Sequence, residues 1–125
     1  MTVLHQRDGS LAVVVAQGRY ATGELREAFE AALAPFAADP AAGLLLDVSS
    51  SQSLGERSAH DVRTMAQFVA SQGERFSRRF AIVARSDFAF GLMRLGSVVT
   101  ESQGVTTHVC RDHESALAWL RAGGT

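Results

Sequence analysis

Short oily stretches alternate along this chain with longer segments whose apolar positions recur at three- and four-residue steps. Thr2 to His5 and Leu11-Ala12-Val13-Val14-Val15-Ala16 read as strands. Asp8-Gly9-Ser10 between them is a hairpin signal. After Gly18 the period changes to that of a helix. Leu25, Ala28, Phe29, Ala32 and Leu33 share one helical face from near Thr22, with Thr22 as cap and Glu24 at the positive end of the dipole. Pro35 and Pro40 stop or kink it.

Gly43 to Val48 is continuously apolar apart from Asp47, the pattern of a central strand covered on both faces. A polar loop, Ser49 to Ser53, follows. Ser58 and Asp61 form a capping box before the stripe Val62, Met65, Ala66 and Val69, and Gly73 is the terminator. Phe80 to Ala84 reads as a strand. Ser86 or Asp87 caps the next helix, whose Phe88, Leu92, Leu95 and Val99 are expected to face the sheet until it closes near Gly104. Thr106 to Cys110 is the last strand, and Asp112 caps a final helix carrying Ala116, Leu117, Trp119 and Leu120.

Repeated strand–helix units of this length imply an α/β fold with right-handed crossovers. The expected architecture is a mainly parallel, mixed sheet of about five strands with four helices, in one domain spanning residues 1–125. A chain of 125 residues buries enough surface to fold without a disulfide or metal.

A net charge of -1 argues against nucleic acid as a partner. One cysteine, Cys110, excludes an intramolecular disulfide and suits a reducing compartment. No signal peptide opens the sequence and no apolar run is long enough to cross a bilayer, so a soluble, cytoplasmic protein is expected.

Three stretches resemble the SpoIIAA-like (STAS-like) superfamily, in particular its branch of small bacterial members. They are Gly43-Leu44-Leu45-Leu46-Asp47-Val48-Ser49, the run Phe80 to Arg94 with its Gly91-x-x-Arg94 segment, and Arg111 to Leu120. The resemblance covers the chain from about Leu11 onward and implies a SpoIIAA-like fold acting as a non-catalytic regulatory or interaction module. Classical members are antagonists of anti-sigma factors, switched by phosphorylation of a serine in a motif close to Asp-Ser-Ser-Gly. Here Ser49-Ser50-Ser51-Gln52-Ser53-Leu54-Gly55-Glu56-Arg57-Ser58 stands in its place, with Ser58 near the analogous helix start.

In open parallel sheets ligands gather at the carboxyl edge of the strands. Asp47, Ser49, Ser50 and Ser51 follow one predicted strand, and Arg85, Ser86 and Asp87 follow another. Helix starts near Ser58 and Asp87 add free amides, so the edge is a candidate phosphate or carboxylate site. The competing reading is ordinary capping, which accounts for each of these residues.

The helix after Asp87 carries an apolar surplus. Phe88, Phe90 and Met93, with Arg94, form a candidate partner or ligand surface, and self-association is expected from the same surplus. Deeper burial between neighbours is the alternative. His108 and Cys110 share a strand face, an arrangement that begins a nucleophile or metal site but lacks a third group. Arg75, Arg78 and Arg79 read as a solvated basic loop, His60 and His113 as exposed, and Gly91 and Gly96 as close-packing positions.

No nucleophile elbow, phosphate loop, dinucleotide glycine pattern or metal spacing occurs, so neither cofactor nor metal is expected. Catalysis would need Asp47, His60 or Asp87 to converge on a cleft. The readings that stand are a protein-partner module and, alternatively, a small-molecule or lipid-binding module using the third helix and the sheet edge.

Overall fold

The structure is a computed structural model and describes residues 3–52 and 54–122. Five strands, β1 (Val3–Asp8), β2 (Leu11–Gly18), β3 (Gly43–Ser51), β4 (Arg79–Val83) and β5 (Thr106–Cys110), lie side by side in chain order. β2 to β5 form a four-stranded parallel sheet. β1 adds to its edge antiparallel, through a hairpin whose Gly9 has φ +60. That angle places Gly9 in the left-handed region, which glycine enters without a Cβ penalty.

Four helices complete the chain: α1 (Thr22–Leu33), α2 (Ala59–Ser71), α3 (Asp87–Ser102) and α4 (His113–Ala122). The strand order decides where they go. Each crossover from β2 to β5 steps in the same direction, and right-handed crossovers then place α1, α2 and α3 on one face. The larger core forms there, with Val14, Leu46 and Ile82 of the sheet meeting Phe29, Leu33, Val69 and Met93. α4 follows the last strand and is free of that constraint. It covers the opposite face, setting Ala116, Leu117 and Leu120 on Leu45, Ala81 and Val83. α4 lies so close to β3 that a Cβ on Gly43 would stand 2.6 Å from Leu120 Cδ2.

Several expectations are corrected. Ala21, not Thr22, is the N-cap of α1, and the Glu24 side chain accepts from the Ala21 N–H. Ser49 to Ser51 belong to β3 instead of a loop. The buried face of α3 is Ala89, Met93, Gly96, Ser97 and Thr100, not the stripe of Phe88, Leu92, Leu95 and Val99. Small residues win that face because α2 packs there: a Cβ on Gly96 would stand 3.3 Å from Val62 Cγ1. Gly91 faces open space. Arg79 is no loop residue either. It lies on β4, with its guanidinium 4.1 Å above the Trp119 ring and bonded to the Trp119 carbonyl.

Candidate functional site

The carboxyl edge of the sheet is organised by an irregularity in β3. Val15 pairs with Asp47 but Gln17 pairs with Ser50, so β3 holds one extra residue, a β-bulge. The bulge breaks the alternation of side chains. Ser51, three positions after Val48, reaches the same groove on the three-helix face and bonds the Tyr20 hydroxyl at 2.8 Å. Asp47 lies on the opposite face, beneath the start of α4.

Asp47 is 8% exposed and fully engaged. Its Oδ1 accepts from the backbone N–H and the hydroxyl of Ser49, at 2.9 and 2.6 Å. Its Oδ2 lies 2.9 Å from Nδ1 of His113 in the first turn of α4. Burial pushes the Asp47 carboxyl up, but the hydrogen bonds from Ser49 and His113, with the His113 charge, outweigh it and hold it below its ordinary value. His113 is therefore half-buried and partnered, against the expectation of an exposed, idle residue.

The predicted edge site divides into parts. Ser49, Ser51, Arg85 and Ser86 line one groove of about 300 Å³ together with Val48, Gln52 and Phe88. Asp47 faces away toward His113, and Ser50 is exposed outside the groove. Asp87 lies at the rim, where Arg111 bridges it at 2.9 Å. Ser58 caps α2, its hydroxyl accepting from the Asp61 N–H while Asp61 accepts from the Ser58 N–H. Those bonds hold the Asp61 carboxyl below its ordinary value. Ser86 caps α3 by accepting from the Ala89 N–H. Ser53 lies outside the described residues.

The predicted apolar surface of α3 also separates. Phe88 is 61% exposed at the groove lip. Phe90 is half-buried beneath the Arg111 guanidinium, 4.2 Å from its ring centre. Met93 is buried inside the core, and Arg94 is exposed. On the far side of the sheet His108 stacks on Trp119, ring centres 5.2 Å apart. Cys110 is buried, with its Sγ directed at the carbonyls of Ile82 and Asp112. Burial pushes its thiol up, and the charges of Asp112 and Asp47 add to the rise against a hydrogen bond from the Asp112 backbone. Among the described residues, no cluster of three or more His, Cys, Asp or Glu is arranged to hold a metal. No helix there is long and apolar enough to cross a membrane.

Sequence reasoning missed a second feature, a cavity beneath α2. α1, α3 and α4 sit closely on strands, whereas α2 makes its close contacts with α3 and α1 and stands off the sheet. The space left is about 70 Å³ and almost wholly apolar, walled by Leu25, Leu46, Val62, Met65, Ile82 and Met93 among others. Tyr20, Thr22, Arg57 and Asp61 rim it at the carboxyl edge. The Arg57 guanidinium donates to the Tyr20 carbonyl and lies 5.3 Å from its ring centre. Tyr20 and Arg57 stand just before helix starts, a weak sequence signal. Nothing local joins two residues 37 positions apart.

Comparison of the chain with protein-family models, with curated proteins and with solved structures returns no match.

Proposed function

We propose that this protein is a non-catalytic regulatory or interaction module of STAS-like type that recognises a protein partner at the carboxyl edge of its sheet. The observation that carries the reading is Phe88. A large aromatic side chain is 61% exposed there, at the lip of a groove furnished with the hydroxyls of Ser49, Ser51 and Ser86 and the Arg85 side chain. Exposed aromatic anchors ringed by polar groups are what interfaces use. The order of strands and helices, and the three stretches that resemble the SpoIIAA-like superfamily, support the same assignment. The dispersal of chemical groups supports a non-catalytic role. The Ser49 hydroxyl beside the Asp47–His113 pair donates to the Asp47 carboxylate, the wrong partner for a base-activated nucleophile, and Asp87 is paired with Arg111 on the rim.

Co-elution from extract of the native cell tests the reading. The wild-type chain retains a partner that Phe88→Asp and Arg85→Glu both lose. Retention of nothing, or equal retention by all three, rejects it. Self-association through α3, where Val98 is a further exposed apolar residue at 66%, is read by light scattering, and a monomer mass at micromolar concentration rejects it.

A small-molecule module is the second reading, and the cavity beneath α2 favours it. Interiors hold few voids larger than a water molecule, so an open apolar one of about 70 Å³ is a feature to explain. The site lies chiefly between α1, α2 and the sheet, with α3 contributing Met93, Gly96 and Thr100. Phe88, Phe90 and Arg94 lie outside it.

A further inference from the structure

We infer that the cavity beneath α2 binds a free α-amino acid with a small aliphatic side chain, of the size of leucine or isoleucine. The inference rests on the small-molecule reading and names its ligand class.

Size sets the first limit. About 70 Å³ is less than half the roughly 150 Å³ that seats one benzene in an engineered protein cavity. Such a space takes an aliphatic group of about three or four carbons and refuses a phenyl or indole ring. The walls suit that group, being aliphatic along Leu25, Leu46, Val62 and Ile82. Met65 and Met93 supply thioether side chains that adjust to irregular shapes.

Charge sets the second. Among the described residues, the charged ones lining the cavity are Arg57 and Asp61, and both stand at its mouth. They are opposite in sign and close enough for the Arg57 charge to act on the Asp61 carboxyl. A simple carboxylic acid would satisfy Arg57 and be repelled by Asp61; a simple amine would do the reverse. A zwitterion satisfies both. The chemistry leaves room for it. Arg57 has five N–H donors, and one of its terminal nitrogens is bonded to the Tyr20 carbonyl. Asp61 spends Oδ2 on the Ser58 N–H, and a carboxylate offers about four lone-pair sites. The ligand carboxylate would lie on Arg57, its ammonium on Asp61, and its side chain under α2.

Thermal-shift and calorimetric titration of the full chain test this with L-leucine, L-phenylalanine, 4-methylpentanoate, isoamylamine and octanoate. Leucine is expected to raise the melting temperature in a concentration-dependent way. Phenylalanine, the acid without its amine, and the amine without its acid should each bind weaker by about tenfold or more. Arg57→Gln and Asp61→Asn should each weaken leucine by a similar factor, and Ala66→Leu, which fills the cavity, should abolish binding. If Ala66→Leu does not fold, the two mouth variants decide. The inference is overturned if leucine gives no shift, if 4-methylpentanoate or phenylalanine binds as tightly, or if both mouth variants bind leucine normally. Binding of octanoate or 4-methylpentanoate without leucine would sink the amino acid and leave the small-molecule reading standing. Silence from all five probes would sink both.

Discussion

His113 places its imidazole Nδ1 2.9 Å from Oδ2 of Asp47, a residue 66 positions earlier in the chain. This contact ties the first turn of α4 to the middle of the central strand β3. It also stands where the carboxyl edge of the sheet meets the smaller core, so its loss should be felt in the docking of α4.

The pair predicts an acid-dependent stability. Asp47 titrates below its ordinary 3.8 in the folded chain, so the unfolded state binds protons first as pH falls. The stabilisation is fully present above that value and is lost as pH drops through the lower, folded one. Asp47→Asn should cost about 1.5–3 kcal/mol at neutral pH, the range for hydrogen bonds to charged groups. Urea melts from pH 7 to pH 2 check this. The gap between wild type and variant should narrow only in the acid limb; a gap constant with pH would mean that the carboxylate charge is immaterial.

Two glycine substitutions should act in opposite directions. Gly43→Ala drives a Cβ to 2.6 Å from Leu120 Cδ2 and should destabilise by about 1–3 kcal/mol, as overpacking does. Gly91→Ala meets open space on an exposed turn of α3 and should stabilise by about 0.5–1 kcal/mol. Thermal melts of the two single variants read both signs. Equal shifts would show that α4 is not seated on β3 as described.

Ser58→Ala should lower stability by about 1 kcal/mol, because it removes the acceptor for the Asp61 N–H at the start of α2. Ser58→Asp, which retains an acceptor, should recover most of it. Failure of the aspartate to rescue would point to a role beyond capping.

Cys110 should react slowly with a thiol reagent in the native state. Burial and the charges of Asp112 and Asp47 disfavour the thiolate, so labelling with a disulfide dye at pH 8 should accelerate by about tenfold or more in urea. Native labelling as fast as unfolded labelling would show that β5 opens readily or that its thiol is accessible.

Much of the architecture was legible from the amino-acid sequence, because periodicity and capping are local. The short apolar, β-branched run Leu11–Ala16, the continuous Gly43–Val48 run and the box at Ser58 and Asp61 each state their element within a few neighbouring positions. The adjacency of Leu44–Leu46 and Phe80–Ile82 in a parallel sheet followed from the strand–helix alternation. What failed was the ranking of faces on α3, where size was taken as the mark of burial and the close approach of α2 selected small residues instead.

By itself, then, the sequence determined which segments coil and which extend, though not every boundary between them, since those choices are made between residues close along the chain. Only the tertiary structure decided that Asp47 meets His113, that Tyr20 and Arg57 rim a cavity, and that Phe88 stays in water. Such pairings depend on a bulge that re-aims side chains, on a helix held off its sheet and on the side of the sheet α4 takes. They are settled by packing between distant parts of the chain, which no local pattern records.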